Sequence, residues 1–167
     1  GLTGVATQSN VFTNAFGNDD AMLNRLANIG MNFKNATGHV MGYTFDTLIV
    51  PGNAYRLITL GKKIINSDQQ VGSSFNDVNV NKGIWKLVVD HHWQVADGTE
   101  PYIIMSSQAN KDLMGSMFYD RTPLEIEQDV DVRTQNLISS GRGRFSAGFG
   151  DWRHTIMGGA AAGTELT

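Results

Sequence analysis

DTLIVPGNAYRLIT, residues 46–59, is the stretch that decides the fold. Asp46 to Val50 is a short apolar run rich in β-branched residues, and it predicts a buried strand. Pro51 ends that strand. Gly52 and Asn53 then open a short helix with Ala54, Leu57, Ile58 and Leu60 on its inner side and a stop near Gly61. A strand followed at once by an amphipathic helix fits an α+β domain.

Upstream, Asn18 or Asp19 can cap a helix, because a short side-chain oxygen accepts a free N–H of the first turn. Met22, Leu26, Ile29 and Phe33 then recur at i, i+4, i+7 and i+11, one apolar face of a helix over Asp19 to about Thr37. Gly38 suits its end. Gly1 to Gly17 is small and polar without helical period, and reads as an extended arm or loop. Downstream, Ser67 to Gly83 reads as a loop with short strand pieces. Ile84 to Asp90 and Tyr102 to Ser106 are strands around the turn chemistry of Ala96 to Pro101, and Gln108 to Met114 is a short helix. Leu124-Glu125-Ile126-Glu127 and Val130-Asp131-Val132 alternate apolar and charged, the period of a half-exposed strand. Arg142 to Phe149 and Trp152 to Met157 are further strands broken at Gly150-Asp151, and Gly158 to Thr167 is a flexible tail. No internal repeat is visible. The expected class is α+β.

Composition bounds the function. The chain has 167 residues and 18.2 kDa, which suits one domain. Charged residues are 17%, below the roughly 25% of average domains, and Asn, Ser, Thr, Gln and Gly make up the difference. A highly charged disordered tail, a coiled coil and a histone-like binder are excluded. The net charge of −3 does not favour a nucleic-acid binder. There is no cysteine, so disulfides, thiolate metal sites and Cys nucleophiles are excluded. No apolar run reaches the roughly 20 residues of a membrane helix, and no signal peptide is visible. A first residue of Gly rather than Met suggests a processed, trimmed or tagged product. With 19 Gly against 3 Pro, sheet-rich structure with tight turns is expected.

The sharpest chemical string is Asp90-His91-His92 at the end of an apolar strand. It resembles the Asp-His-His motif of a Mn²⁺-binding phosphoesterase family, in which two metal ions clamp a phosphate. That family also needs an Asp-x-Asp cluster after its first strand and serial βα units, and neither is here. A strand end entering a loop is the simpler reading. His39 and His154 are isolated and read as surface or hydrogen-bonded histidines. Gly141-Arg142-Gly143-Arg144 is a small basic spot that could touch phosphate, but two Arg in a turn more often face solvent or an acidic partner. Glu125, Glu127, Asp129 and Asp131 alternate along one strand face, whereas Ca²⁺ needs ligands converging from a curved loop. No Gly-x-Ser-x-Gly, P-loop or dinucleotide fingerprint occurs. The sequence therefore nominates no catalytic, cofactor or metal residue, and its amide-rich surface suits contact with other chains.

In order and spacing, three segments resemble the major capsid proteins of tailed bacteriophages of the Hong Kong 97 type. They are DTLIVPGNAYRLIT (46–59), KLVVDHHWQVADGTEPYIIMSS (86–107) and FYDRTPLEIEQDVDVRTQNLISSGRGRFSAGFGDWRHTIMGG (118–159). The resemblance implies the HK97-like capsid fold. Residues 1–17 would be an extended arm, 18–120 an axial-domain-like α+β core, 121–158 closing strands of the peripheral domain, and 159–167 a flexible tail. It implies a non-enzymatic, cofactor-free subunit that self-assembles into hexamers and pentamers of a virion shell, formed in the host cytoplasm. Its partners would be copies of itself, scaffold, portal and packaged DNA, with no membrane. Family members carry a long arm, an extended hairpin loop and a long spine helix before the first helix seen here. The chain thus resembles the C-terminal portion of such a protein. The alternatives are an encapsulin-like compartment shell and the phosphoesterase built on Asp90, His91 and His92.

Overall fold

The computed structural model describes residues 8–73, 77–96, 98–130 and 133–161. It is α+β, with one four-stranded mixed sheet and few helices. In chain order the elements are α1 (Ala21–Met31), β1 (Thr47–Pro51), α2 (Tyr55–Asn66), β2 (Lys86–Asp90), β3 (Tyr102–Met105), α3 (Ser107–Asp112), β4 (Ser116–Val130), β5 (Leu137–Phe149), a 3-10 turn (Trp152–His154) and β6 (Thr155–Gly158). The main sheet runs β2-β1-β3-β6, and β4 and β5 form a separate two-stranded ribbon.

The stretch that opened the reading forms β1 and α2. Strands β1 and β2 are parallel neighbours, and α2 is the crossover that parallel strands require. β3 pairs antiparallel with β1 only over Thr47 to Ile49, so Pro51, which has no N–H, lies beyond that ladder. Helix α2 does not stop at Gly61. It continues to Asn66, and Gly61 serves as a contact point. A Cβ there would stand 3.1 Å from Leu87 Cδ1 and 3.5 Å from Leu48 Cδ2. The bare glycine lets the helix lie close on β1 and β2.

Helix α1 is shorter than expected. It ends at Met31, and the Asn35 side chain then accepts hydrogen bonds from the Thr37 N–H, the Thr37 hydroxyl and the His39 N–H. An Asn that holds its own backbone in a turn competes with helix. The buried stripe is also rotated. Leu23 and Leu26 are fully buried with Gly30, whereas Met22 and Ile29 are only partly covered. The reason is Phe45, whose ring lies where a Cβ of Gly30 would be.

Leu23 and Leu26 meet Leu48, Val50, Leu57, Ile64, Tyr102, Ile104 and Ile156 in one core. β6 closes the sheet beside β3, and residues 10–12 pair along its outer edge: the Phe12 N–H donates to Met157 O and the Met157 N–H to Asn10 O. The expected strand over Trp152 to Met157 begins late. Asp151 Oδ1 accepts from the Arg153 N–H at 2.8 Å and winds the first three residues into a 3-10 turn. The stretch read as closing strands therefore divides between a ribbon that starts at Ser116 and a strand of the core sheet. Asp131, Val132 and the end of the expected tail lie outside the described residues, as do residues 1–7 of the expected arm. Among the described residues no helix is long and apolar enough to cross a membrane.

Candidate functional site

The ribbon is the feature that the core does not account for. β4 has 15 residues and β5 has 13, and nearly all are exposed. The alternation around Leu124 to Glu127 predicts one buried face, but the described structure leaves both faces open. Residues directly opposite each other share a face. Ser116 faces Phe149, Phe118 faces Ala147 and Asp120 faces Phe145. The register then shifts between Asp120 and Thr122 and again between Thr122 and Glu125. Pro123, which cannot donate to the ladder, stands in that interval. Beyond it Glu125 faces Arg142, Ile126 faces Gly141, and Val130 faces Leu137.

Followed along β5, these pairs sort the side chains by face. One face is mostly apolar and carries Phe118, Ile126, Val130, Leu137, Phe145 and Phe149, with Asp120 opposite Phe145 and Gln128 opposite Ser139 among them. The rings of Phe118 and Phe145 stack at 5.6 Å. Leu124 joins this face, because a Cβ at Gly141 would lie 3.7 Å from Leu124 Cδ1. Phe145, Leu124 and Phe149 are 74%, 73% and 85% exposed. The other face carries Thr122, Glu125, Glu127, Asp129, Arg142 and Arg144 together with Tyr119 and Ile138, and Glu125 Oε2 accepts from Arg142 Nη2 at 3.1 Å. Arg142 and Arg144 of the basic spot and Glu125, Glu127 and Asp129 of the acidic run thus lie on the same face, with Arg142 and Glu125 paired across the strands, while Asp131 lies outside the described residues.

The Asp-His-His string is a strand end. Asp90 Oδ1 accepts the His92 N–H at 2.9 Å, and the Asp90 carbonyl accepts the Gly52 N–H at 2.8 Å. His91 and His92 are exposed. Among the described residues no three of His, Asp and Glu converge to hold a metal ion. His39 Nδ1 lies 3.0 Å from the Thr37 hydroxyl on the surface. His154 is buried at the foot of the ribbon, with its ring nitrogens on Asp151 O and Ser116 Oγ. Burial pushes the Tyr102 phenol well above its ordinary value, so it stays neutral. No known protein family matches the chain, and no curated protein matches it.

A second arrangement escaped the sequence reading. In Val78-Asn79-Val80-Asn81 the two asparagines are buried and the two valines exposed. Asn79 Nδ2 donates to Ile64 O at 2.6 Å and Ser67 O at 2.9 Å, which satisfies carbonyls at the end of α2. Asn81 Oδ1 accepts from Trp85 Nε1 at 3.1 Å, and its Nδ2 donates to Asp20 Oδ2 at 2.6 Å. Asp20 also accepts from Gln70 Nε2 at 3.1 Å and Asn24 Nδ2 at 3.3 Å. These amides tie the loop after α2 to the start of α1. The signal in the sequence is two asparagines at spacing two where valines would be expected to point inward.

Proposed function

We propose that the chain is a structural subunit of a self-assembling shell, a major capsid protein of the Hong Kong 97 type. In this reading the four-stranded sheet with α1 and α2 is the axial domain. The ribbon is the strand pair of the peripheral domain, and the assembled product is an icosahedral shell of hexamers and pentamers enclosing DNA. The observation that carries the reading is the ribbon's uncovered apolar face. A two-stranded hairpin is marginal alone in water, and monomeric proteins rarely leave large contiguous apolar patches exposed. The order of the three sequence segments adds to it. An arm, an extended loop and a long helix ahead of Gly1, as the resemblance implies, would supply the cover for that face. Rings of this kind use heterologous contacts, one patch meeting a different patch on the next copy.

Light scattering and electron microscopy test the proposal. Without those elements the 167-residue chain should sediment as a monomer near 18.2 kDa at micromolar concentration, because an interface below roughly 1,200 Å² is weak. The complete gene product, with scaffold and any required protease supplied, should form rings or shells. A complete product that stays monomeric at high concentration refutes the assignment.

A further inference from the structure

The ribbon leaves the core through a short root that is fixed at several points. The Ser116 N–H donates to Asn110 Oδ1 at 2.6 Å and the Gly115 N–H to Asn110 O at 3.0 Å. The Gly150 N–H donates to Gly115 O at 2.7 Å, which closes the two strands against each other. Between these strands and the sheet sits His154, 1% exposed. Its own carbonyl accepts the Ser106 N–H at 2.9 Å, so its backbone belongs to the sheet side. Its ring belongs to the ribbon side. Nδ1 lies 2.5 Å from Asp151 O, and Nε2 lies 2.9 Å from Ser116 Oγ. A carbonyl can only accept, so Nδ1 donates to Asp151 O, and in the neutral imidazole Nε2 is then the acceptor for the Ser116 hydroxyl. Gly115 has no side chain because the imidazole occupies the place of its Cβ, and a Cβ at Gly150 would overlap the Met114 carbonyl.

We propose that His154 is the pin that sets the direction in which the ribbon leaves the core. It is a positioning residue: it holds Ser116 and Asp151, one at each foot of the ribbon, at a fixed distance from the sheet. Direction matters because the ribbon is long. At about 3.3 Å per residue, the 15 residues of β4 reach roughly 45–50 Å. A turn of about 10° at the root therefore moves the tip by roughly 8 Å. The exposed apolar face would then be presented at one angle rather than swept through many.

The chain has no cysteine, so two introduced ones can be spin-labelled cleanly. Lys62→Cys on α2 and Ser140→Cys near the ribbon tip are both exposed positions. Pulsed electron spin resonance on the 167-residue protein should give one narrow distance distribution. In His154→Phe, which keeps a ring but loses both side-chain hydrogen bonds, the distribution should widen or shift by at least about 5 Å, while circular dichroism still shows cooperative melting. Ser116→Ala removes one bond only and should give a smaller change of the same kind. It decides the matter where His154→Phe does not fold. A broad distribution in the parent, or one unchanged in the folded variants, overturns the proposal.

Discussion

Replacing Asp20 by Ala should be among the most costly single changes in this chain. Asp20 is 2% exposed and accepts three amide donors, from Asn81, Gln70 and Asn24. The three are unequal. The 2.6 Å bond comes from Asn81, itself 4% exposed, whose Oδ1 is already committed to the buried Trp85 indole. Truncation leaves that Nδ2 unpaired inside the protein, which costs about 1–3 kcal/mol by itself. Gln70 is half-buried and can turn to water, and the 3.3 Å bond from Asn24 is long, so together they add about 1 kcal/mol. Removing a buried carboxylate returns part of this through relief of its desolvation. The expected net loss is about 2–3 kcal/mol, or roughly 4–12 °C in melting temperature for a domain of this size. Asp20→Asn, which keeps one acceptor, should lose about half as much. Urea melts followed by tryptophan fluorescence measure it, since Trp85 reports on the cluster directly. A double-mutant cycle with Asn81→Ala should give a coupling of about 1 kcal/mol or more. A loss for Asp20→Ala below about 0.5 kcal/mol, or additive effects in the cycle, would show that the cluster does not hold α1 to the loop.

Three further outcomes are expected. Leu26→Ala should cost about 2–5 kcal/mol in denaturant melts because its side chain is fully buried, and a loss below about 0.5 kcal/mol would mean the core lies elsewhere. The double change His91→Ala and His92→Ala should leave stability within about 0.5 kcal/mol, with no stoichiometric metal in the parent by elemental analysis; Mn²⁺ or Zn²⁺ present in the parent and lost in the variant would revive the phosphoesterase. Hydrogen bonds from Arg56 hold the Glu100 carboxyl below the usual carboxylate range, so the pair stabilises the fold above the unfolded Glu value and loses that effect as pH falls through the depressed one. Both side chains are partly exposed, so Glu100→Gln should cost under about 1 kcal/mol at pH 7, and a gap that persists undiminished at pH 2 would contradict this linkage.

Residues 46–59 were legible because strand and helix there are set by local period and by Pro51 and Gly52, and both elements formed. The α+β class followed from the same signals. Local chemistry misplaced some ends where a side chain redirected the backbone, as Asn35 does after α1 and Asp151 does before β6, and it stopped α2 too early at Gly61, which is a contact point rather than an end. The sequence already weighed against the metal reading of Asp90-His91-His92, since the Asp-x-Asp cluster and serial βα units that go with that motif are missing, and kept it as the less favoured alternative. Other features depended on residues far apart in the chain. Burial of Asn79 and Asn81 beneath exposed valines rests on carbonyls of α2, on Asp20 and on Trp85, and a hydropathy pattern contains none of these partners. Alternation along Leu124 to Glu127 separated an apolar face from a charged one. Which residues of β5 lie opposite was fixed by two register shifts near Pro123. Period alone says which side chains share a face. Whether that face is covered depends on what else packs there, which is why the sequence read the ribbon as half-buried and the tertiary structure left it open.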